Sequence, residues 1–285
     1  MSEISITTDA EEFWQWAHEW LRREPVLRSV LLTTVDRERR GGSGGTFALL
    51  ADGVAGGAAP GGVAGVAVWT PPFRVHVAAP PVEAERLALA MLDRCPGIDG
   101  VSGVTGATDE AAAYARAWAG RTGGTVAVSM RQRLFELDAV VPPRPVPGTA
   151  RLAGPGDRDL LVDWTLAFER ESNAAPGASV AERVVGQLVA EQRAWLWDDD
   201  GPACFTGVSR TVGGVARIAP VYTPPGCRRR GYASVLVAAV SQAVLDAGAD
   251  RCALFTDLAN PTANRVYAAL GYRPVADVTA YTFSR

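Results

Sequence analysis

Two segments late in the chain carry residue types and spacings suited to chemistry. In the first, Arg228-Arg229-Arg230-Gly231-Tyr232-Ala233 stands between an apolar run and an amphipathic helical pattern. A turn rich in backbone N–H groups that opens a helix forms an anion cradle, because unsatisfied donors and the positive end of the helix dipole converge there. Gly231 lets backbone approach an anion with no Cβ in the way. Ala233 is small, Ser234 offers a hydroxyl or a first-turn N–H, and the three arginines lend positive charge. The second segment runs Asn260-Pro261-Thr262-Ala263-Asn264-Arg265-Val266-Tyr267-Ala268-Ala269-Leu270-Gly271-Tyr272. Pro261 suits the first position of a helix and Asn260 the cap before it. Tyr267 follows Asn260 by two helical turns, with Asn264 one turn along, so amide and phenol share a face. Each segment also has a plainer reading, as an ordinary helix start and as a half-buried core tyrosine.

Both segments need a scaffold, and the second half of the chain supplies a regular one. Val140-Val141-Pro142-Pro143-Arg144-Pro145-Val146-Pro147-Gly148 cannot continue a helix or a central strand and reads as an extended spacer. Beyond it, a short strand near Arg151-Leu152 precedes helices over 157–170 and 180–192. The first of these helices carries Leu160, Leu161, Trp164 and Phe168 at helical spacing. Strands follow over 194–197, 203–210 and 215–222, separated by the turn signals Asp198-Asp199-Asp200-Gly201 and Gly213-Gly214. A helix over 232–247, a strand over 252–256, a helix over 262–270 and a final strand region over 272–283 complete the order β-α-α-β-β-β-α-β-α-β.

The two motifs, in this order, resemble the fingerprint of the GNAT superfamily of acyl-CoA-dependent N-acyltransferases. That fingerprint is [QR]-x-x-G-x-[GA] followed by N-x-x-A-x-x-x-Y-x-x-x-G-[FY]. The resemblance covers residues 150–285 and implies an α/β (α+β) fold of mixed, mostly antiparallel twisted sheet flanked by helices. It further implies that acetyl-CoA is the acyl donor and that an amine is the acceptor, in direct transfer within a ternary complex. By the same resemblance, Val221-Tyr222-Thr223 pair with the pantetheine arm and Arg228, Arg229, Arg230, Gly231, Tyr232, Ala233 and Ser234 surround the pyrophosphate. Asn260 and Asn264 hold the cofactor arm, and the Tyr267 phenol protonates the departing thiolate.

The first half is less regular. Helices are predicted over 11–23, 81–94 and 109–121, and strands over 47–50, 63–69, 73–79 and 126–137, with glycine-rich loops at 41–45 and 53–62. Val68-Trp69-Thr70-Pro71-Pro72 echoes Val221-Tyr222-Thr223-Pro224-Pro225, which suggests two copies of one fold. The expected organisation is therefore a degenerate N-terminal copy over 1–138 with no cofactor, a linker over 139–149 and a catalytic domain over 150–285.

Composition limits the alternatives. At 285 residues, 48% apolar and 21% charged, the chain can bury a core. The formal charge of −3 argues against nucleic acid, and every basic residue is arginine. Cys95, Cys204, Cys227 and Cys252 show no paired spacing for a disulfide framework or zinc site. His18 and His76 both lie in the first half, outside any sequence pattern for a metal site or a triad, and are assigned no role. With no leader pattern and no membrane-length apolar run, the expectation is a cytoplasmic protein. Eight tryptophans leave room for a homodimer surface.

An alkyl ammonium must lose a proton before it attacks. Many relatives carry a glutamate five residues before the motif asparagine, where this chain has Phe255, and Asp257 is the nearest acid. Glu171 continues the stripe of Trp164 and Phe168 and is the candidate base, whereas Glu169 is rotated away and solvated. Asp198, Asp199 and Asp200 read as a solvated turn able to attract a cationic amine. Phe255 also favours a competing reading, a regulatory protein that binds coenzyme A without turnover. The length of the acyl chain is open.

Overall fold

The computed structural model describes residues 3–52, 62–172 and 177–285. The chain falls into two units, Met1–Arg133 with Ala276–Arg285, and Leu134–Val275. The first ten elements are β1 (Ile4–Thr7), α1 (Ala10–Arg23), α2 (Ser29–Arg39), β2 (Thr46–Ala51), β3 (Val63–Trp69), β4 (Val75–Ala78), α3 (Pro81–Arg94), β5 (Gly103–Ala107), α4 (Thr108–Thr122) and β6 (Thr125–Leu137). The next ten are β7 (Thr149–Leu152), α5 (Arg158–Ser172), α6 (Ala178–Ala190), β8 (Ala194–Asp198), β9 (Pro202–Val208), β10 (Val215–Tyr222), α7 (Tyr232–Asp246), β11 (Arg251–Asp257), α8 (Pro261–Ala269) and β12 (Arg273–Ser284). Both series read β-α-α-β-β-β-α-β-α-β, so the chain repeats one topology.

That topology corrects the register of the pentapeptide echo. Val68-Trp69-Thr70-Pro71-Pro72 begins at the end of β3, the third strand of its series, whereas Val221-Tyr222 end β10, the fourth. The topological counterpart of Val221-Tyr222-Thr223-Pro224-Pro225 is Val77-Ala78-Ala79-Pro80-Pro81 at the end of β4.

Within the first unit the strands run β1-β2-β3-β4-β5-β12 and then β6. β4 and β5 are parallel, and β12 pairs antiparallel with β5 from Val278↔Ala107 to Thr282↔Gly103. The unit's fifth strand is thus flanked by residues from the far end of the chain, which the sequence had grouped with 150–285. The second unit contains the proline segment and orders its strands as the last residues of β6, then β11-β10-β9-β8-β7.

Local chemistry explains most elements. α1 starts at Asp9, whose carboxylate accepts from the N–H groups of Glu11 and Glu12, and it buries Phe13, Ala17 and Leu21 along one face. Three elements escaped the sequence reading. α2 has no side-chain cap and is rich in β-branched residues, β1 has four residues, and β5 carries two glycines. Gly106 in β5 is required by packing, since a Cβ there would lie 2.5 Å from the Val77 carbonyl oxygen. Residues 53–61 of the predicted glycine-rich loop lie outside the described residues.

The core of the first unit centres on Tyr114, Trp118, Leu87 and Met91. Phe283 of β12 stacks on Trp118 with centroids 4.1 Å apart. Phe283→Ala removes that stack and opens a cavity, so it should cost about 3 kcal/mol in denaturant unfolding of the first unit. A loss below about 1 kcal/mol would mean that the last strand contributes little there.

Candidate active site

The second unit brings both motifs to the C-terminal ends of β10 and β11. These parallel strands are in register over Val215↔Arg251, Ala216↔Cys252 and Arg217↔Ala253, although each runs on beyond those pairs. β10 instead continues against β9, with an irregularity between Ile218 and Val221 and then the pairs Val221↔Thr206 and Tyr222↔Phe205. The two neighbours therefore part at Ile218, leaving one edge of Val221-Tyr222 turned to a gap in the sheet. An edge of this kind presents backbone donors and acceptors to an extended amide-bearing arm.

After β10 the chain turns tightly and enters α7. Arg229 and Gly231 both take left-handed backbone, with φ of 63° and 89°. Gly231 caps α7, and no side chain occupies the cap. The first-turn N–H groups of Tyr232, Ala233 and Ser234 thus emerge beside a positive helix end. The arginines are not equivalent. Arg228 donates from Nε to the Thr223 carbonyl at 2.9 Å and from Nη2 to both oxygens of Glu171, at 2.7 and 2.8 Å. The Tyr232 hydroxyl near Arg230 lifts that guanidinium above its ordinary range. Arg229 is exposed.

Tyr232 contributes its backbone to the turn while its phenol donates to Asp199. The triple-aspartate turn is correspondingly less solvated than its sequence suggested. Asp198 accepts from Arg151 at 2.8 Å and from the Gly201 N–H at 3.0 Å.

At the second motif, the Asn260 side-chain oxygen Oδ1 caps α8 by accepting from Ala263 N–H at 3.1 Å. The Asn264 amide donates to the carbonyls of Asp257 and Asn260 and accepts from Thr256, which ties the end of β11 to α8. Asp257 closes its own turn by accepting from Ala259 N–H at 2.8 Å. Tyr267 is 8% exposed and meets Tyr272 edge-on at 5.9 Å. Burial pushes its phenol well above the ordinary tyrosine range, so it carries its proton at every physiological pH. Tyr267 packs in one cluster with Tyr232, Cys204, Val221 and Ala233. Thr223 donates to Cys204 Sγ at 3.2 Å, and burial pushes that thiol up to about 11, so it stays protonated.

The Acetyltransferase (GNAT) family matches residues 151–272. Residues 151–272 are a GNAT acetyltransferase domain. Solved structures share the fold along nearly the whole chain. One is a GNAT-family acetyltransferase from Colwellia psychrerythraea, at 10% identity over 99% of this chain and 100% of that one, TM-score 0.60. A second is a GCN5-related N-acetyltransferase from Sphaerobacter thermophilus, at 16% identity over 98% and 95%, TM-score 0.60. A third is a tandem GNAT protein from the clavulanic acid biosynthesis pathway, at 13% identity over 99% and 98%, TM-score 0.57. Comparison with curated protein sequences returns no match. The tandem fold is thus common to the whole chain, while the family signal lies in the GNAT domain alone.

The corresponding place in the first unit is built differently. β4 passes through Ala79 and Pro80 directly into α3, whose first residue is Pro81, so the arginine-glycine turn has no counterpart. The Ala79 N–H, equivalent to that of Thr223, donates to Glu110 Oε2 at 3.3 Å, and burial pushes this carboxyl up to about 7. Tyr114 is the seventh residue of α4, as Tyr267 is of α8, yet it is 1% exposed and donates to Met91 Sδ at 3.5 Å. Among the described residues no group of side chains is arranged to hold a metal, and no helix is long and apolar enough to cross a membrane.

The site's side-chain pairings were the part that sequence reasoning missed. Glu171 and Arg228 are 57 residues apart and Asp199 and Tyr232 are 33 apart, separations for which periodicity offers no signal.

Proposed function

We propose that the second unit transfers an acetyl group from acetyl-CoA to a primary amine of a small molecule or peptide, by direct attack in a ternary complex. The observation that carries this reading is the uncapped, glycine-led start of α7 beside the parted strands β10 and β11. An acyl-CoA needs both features, one for its pyrophosphate and one for its amide-bearing arm. In this reading the backbone of Val221, Tyr222 and Thr223 lines the arm. The turn from Arg228 to Ser234 receives the phosphates, and Asn260 lies along the arm. Asn264 holds the loop that presents Asn260.

The acceptor nitrogen attacks the thioester carbonyl carbon, the C–S bond breaks, and the thiolate takes its proton from Tyr267. Glu171 is the carboxylate assigned to receive the amine's proton. Because Phe255 replaces an acid and Asp257 is held in its own turn, a coenzyme A-binding protein without turnover remains the competing reading.

Calorimetric titration of the full chain with acetyl-CoA tests the assignment. One site per chain is expected, since Pro80-Pro81 and Glu110 fill the corresponding place in the first unit. Two sites would show that the first unit binds as well, and no binding would overturn the acyl-CoA reading.

A further inference from the structure

Glu171 closes the aromatic stripe of α5, and Arg228 opens the turn before α7. Their contact joins two places that separate substrates would occupy. On one side, the Arg228 guanidinium makes the bidentate pair with Glu171 and lies 5.8 Å above the Tyr222 ring. On the other, its Nε is anchored on the Thr223 carbonyl at the mouth of the phosphate turn. Beside the carboxylate stands the Tyr222 hydroxyl, 3.5 Å from Glu171 Oε1, and the Tyr222 ring in turn meets that of Trp164 at 6.0 Å and 55°. A half-exposed carboxylate beside a tyrosine hydroxyl, next to a ring that already carries a cation, suits a cationic amine. A guanidinium within reach of phosphates suits the cofactor.

Glu171 holds this guanidinium, and in the acyl-CoA reading a phosphate is a second anion for it. Resting on the acyl-CoA reading above, we infer that the Arg228–Glu171 pair is a latch coupling the two substrates. A cofactor phosphate draws Arg228 away from Glu171, and the released carboxylate then takes the ammonium of the acceptor beside the Tyr222 hydroxyl and the ring face that Arg228 vacates. Both side chains are about half exposed, at 41% and 49%, so the exchange requires no unpacking of the core. The pair is weak enough to be traded, because exposed ion pairs contribute little and phosphates offer a stronger charge-assisted partner.

The test is calorimetric titration of the full chain with coenzyme A in a double-mutant cycle. Glu171→Gln removes the competitor and should tighten coenzyme A by about two- to fivefold. Arg228→Gln should weaken it by about tenfold. In the Arg228→Gln background, adding Glu171→Gln should change nothing. The latch is overturned if Glu171→Gln leaves affinity unchanged or lowers it. It is equally overturned if the tightening persists without Arg228, which would mark a general charge effect. Failure of the unaltered protein to bind coenzyme A would instead remove the acyl-CoA reading, and the latch with it.

Discussion

Gly231→Val is expected to lower coenzyme A affinity by at least about a hundredfold while leaving the fold in place. Gly231 holds φ of 89°, a conformation that β-branched residues essentially never adopt and that costs about 1–3 kcal/mol when forced. A Cβ here also arrives 3.0 Å from Val146 Cγ1, a side-chain methyl that must give by a few tenths of an ångström, and the positive φ is what forces the turn itself to shift. Any shift re-aims the first N–H groups of α7, and the added methyls stand where a phosphate would meet the backbone. Gly231→Ala should fall between valine and the natural residue. Calorimetry would give the affinities, with far-ultraviolet circular dichroism as the check on folding. If the valine variant binds coenzyme A normally, the anion does not sit on this turn.

Tyr267→Phe should reduce kcat about a hundredfold with little change in cofactor affinity. The phenol is buried and keeps its proton, so the donor that the proposed mechanism needs is present at neutral pH, although burial makes it a weak acid. A thiol is a fairly strong acid, and its thiolate departs with modest help, which places the effect near the lower end of general acid catalysis. The same burial fixes a pH signature. The phenol titrates well above its ordinary range, so loss of its proton cannot produce a fall in kcat between pH 7 and 9. Any alkaline limb in that interval must come from another group, so the phenylalanine variant should keep the same profile shape, which stopped assays of acetylated amine across it would show. Unchanged turnover in the phenylalanine variant would remove Tyr267 from the mechanism.

Legibility in the sequence followed the range of the forces involved. β10 and α3 were bounded correctly because alternation and a proline at a helix start are written in adjacent residues. Asn260 was recognisable as a cap for the same reason, and its bond to Ala263 N–H is observed. α2 was invisible because burial of Leu31, Leu32 and Val35, rather than local propensity or a cap, stabilises it. The repeat was sensed at the wrong register, since two Thr-Pro-Pro strings share letters but stand at the ends of non-equivalent strands. What joins Glu171 to Arg228, or Tyr232 to Asp199, depends on tertiary placement, and composition carries no trace of it.

The antiparallel pairing of β5 with β12 also governs the order in which this protein can be finished on the ribosome. Synthesis runs from the N-terminus, so the first unit's residues up to Arg133 emerge while β5 still has one unpaired edge. That edge stays open throughout the translation of Leu134–Val275, and Trp118 waits as long for Phe283. The unit made first is therefore completed last. Its nascent form must shield an exposed strand through that interval, and cutting the gene at the proline segment would leave it permanently unsealed.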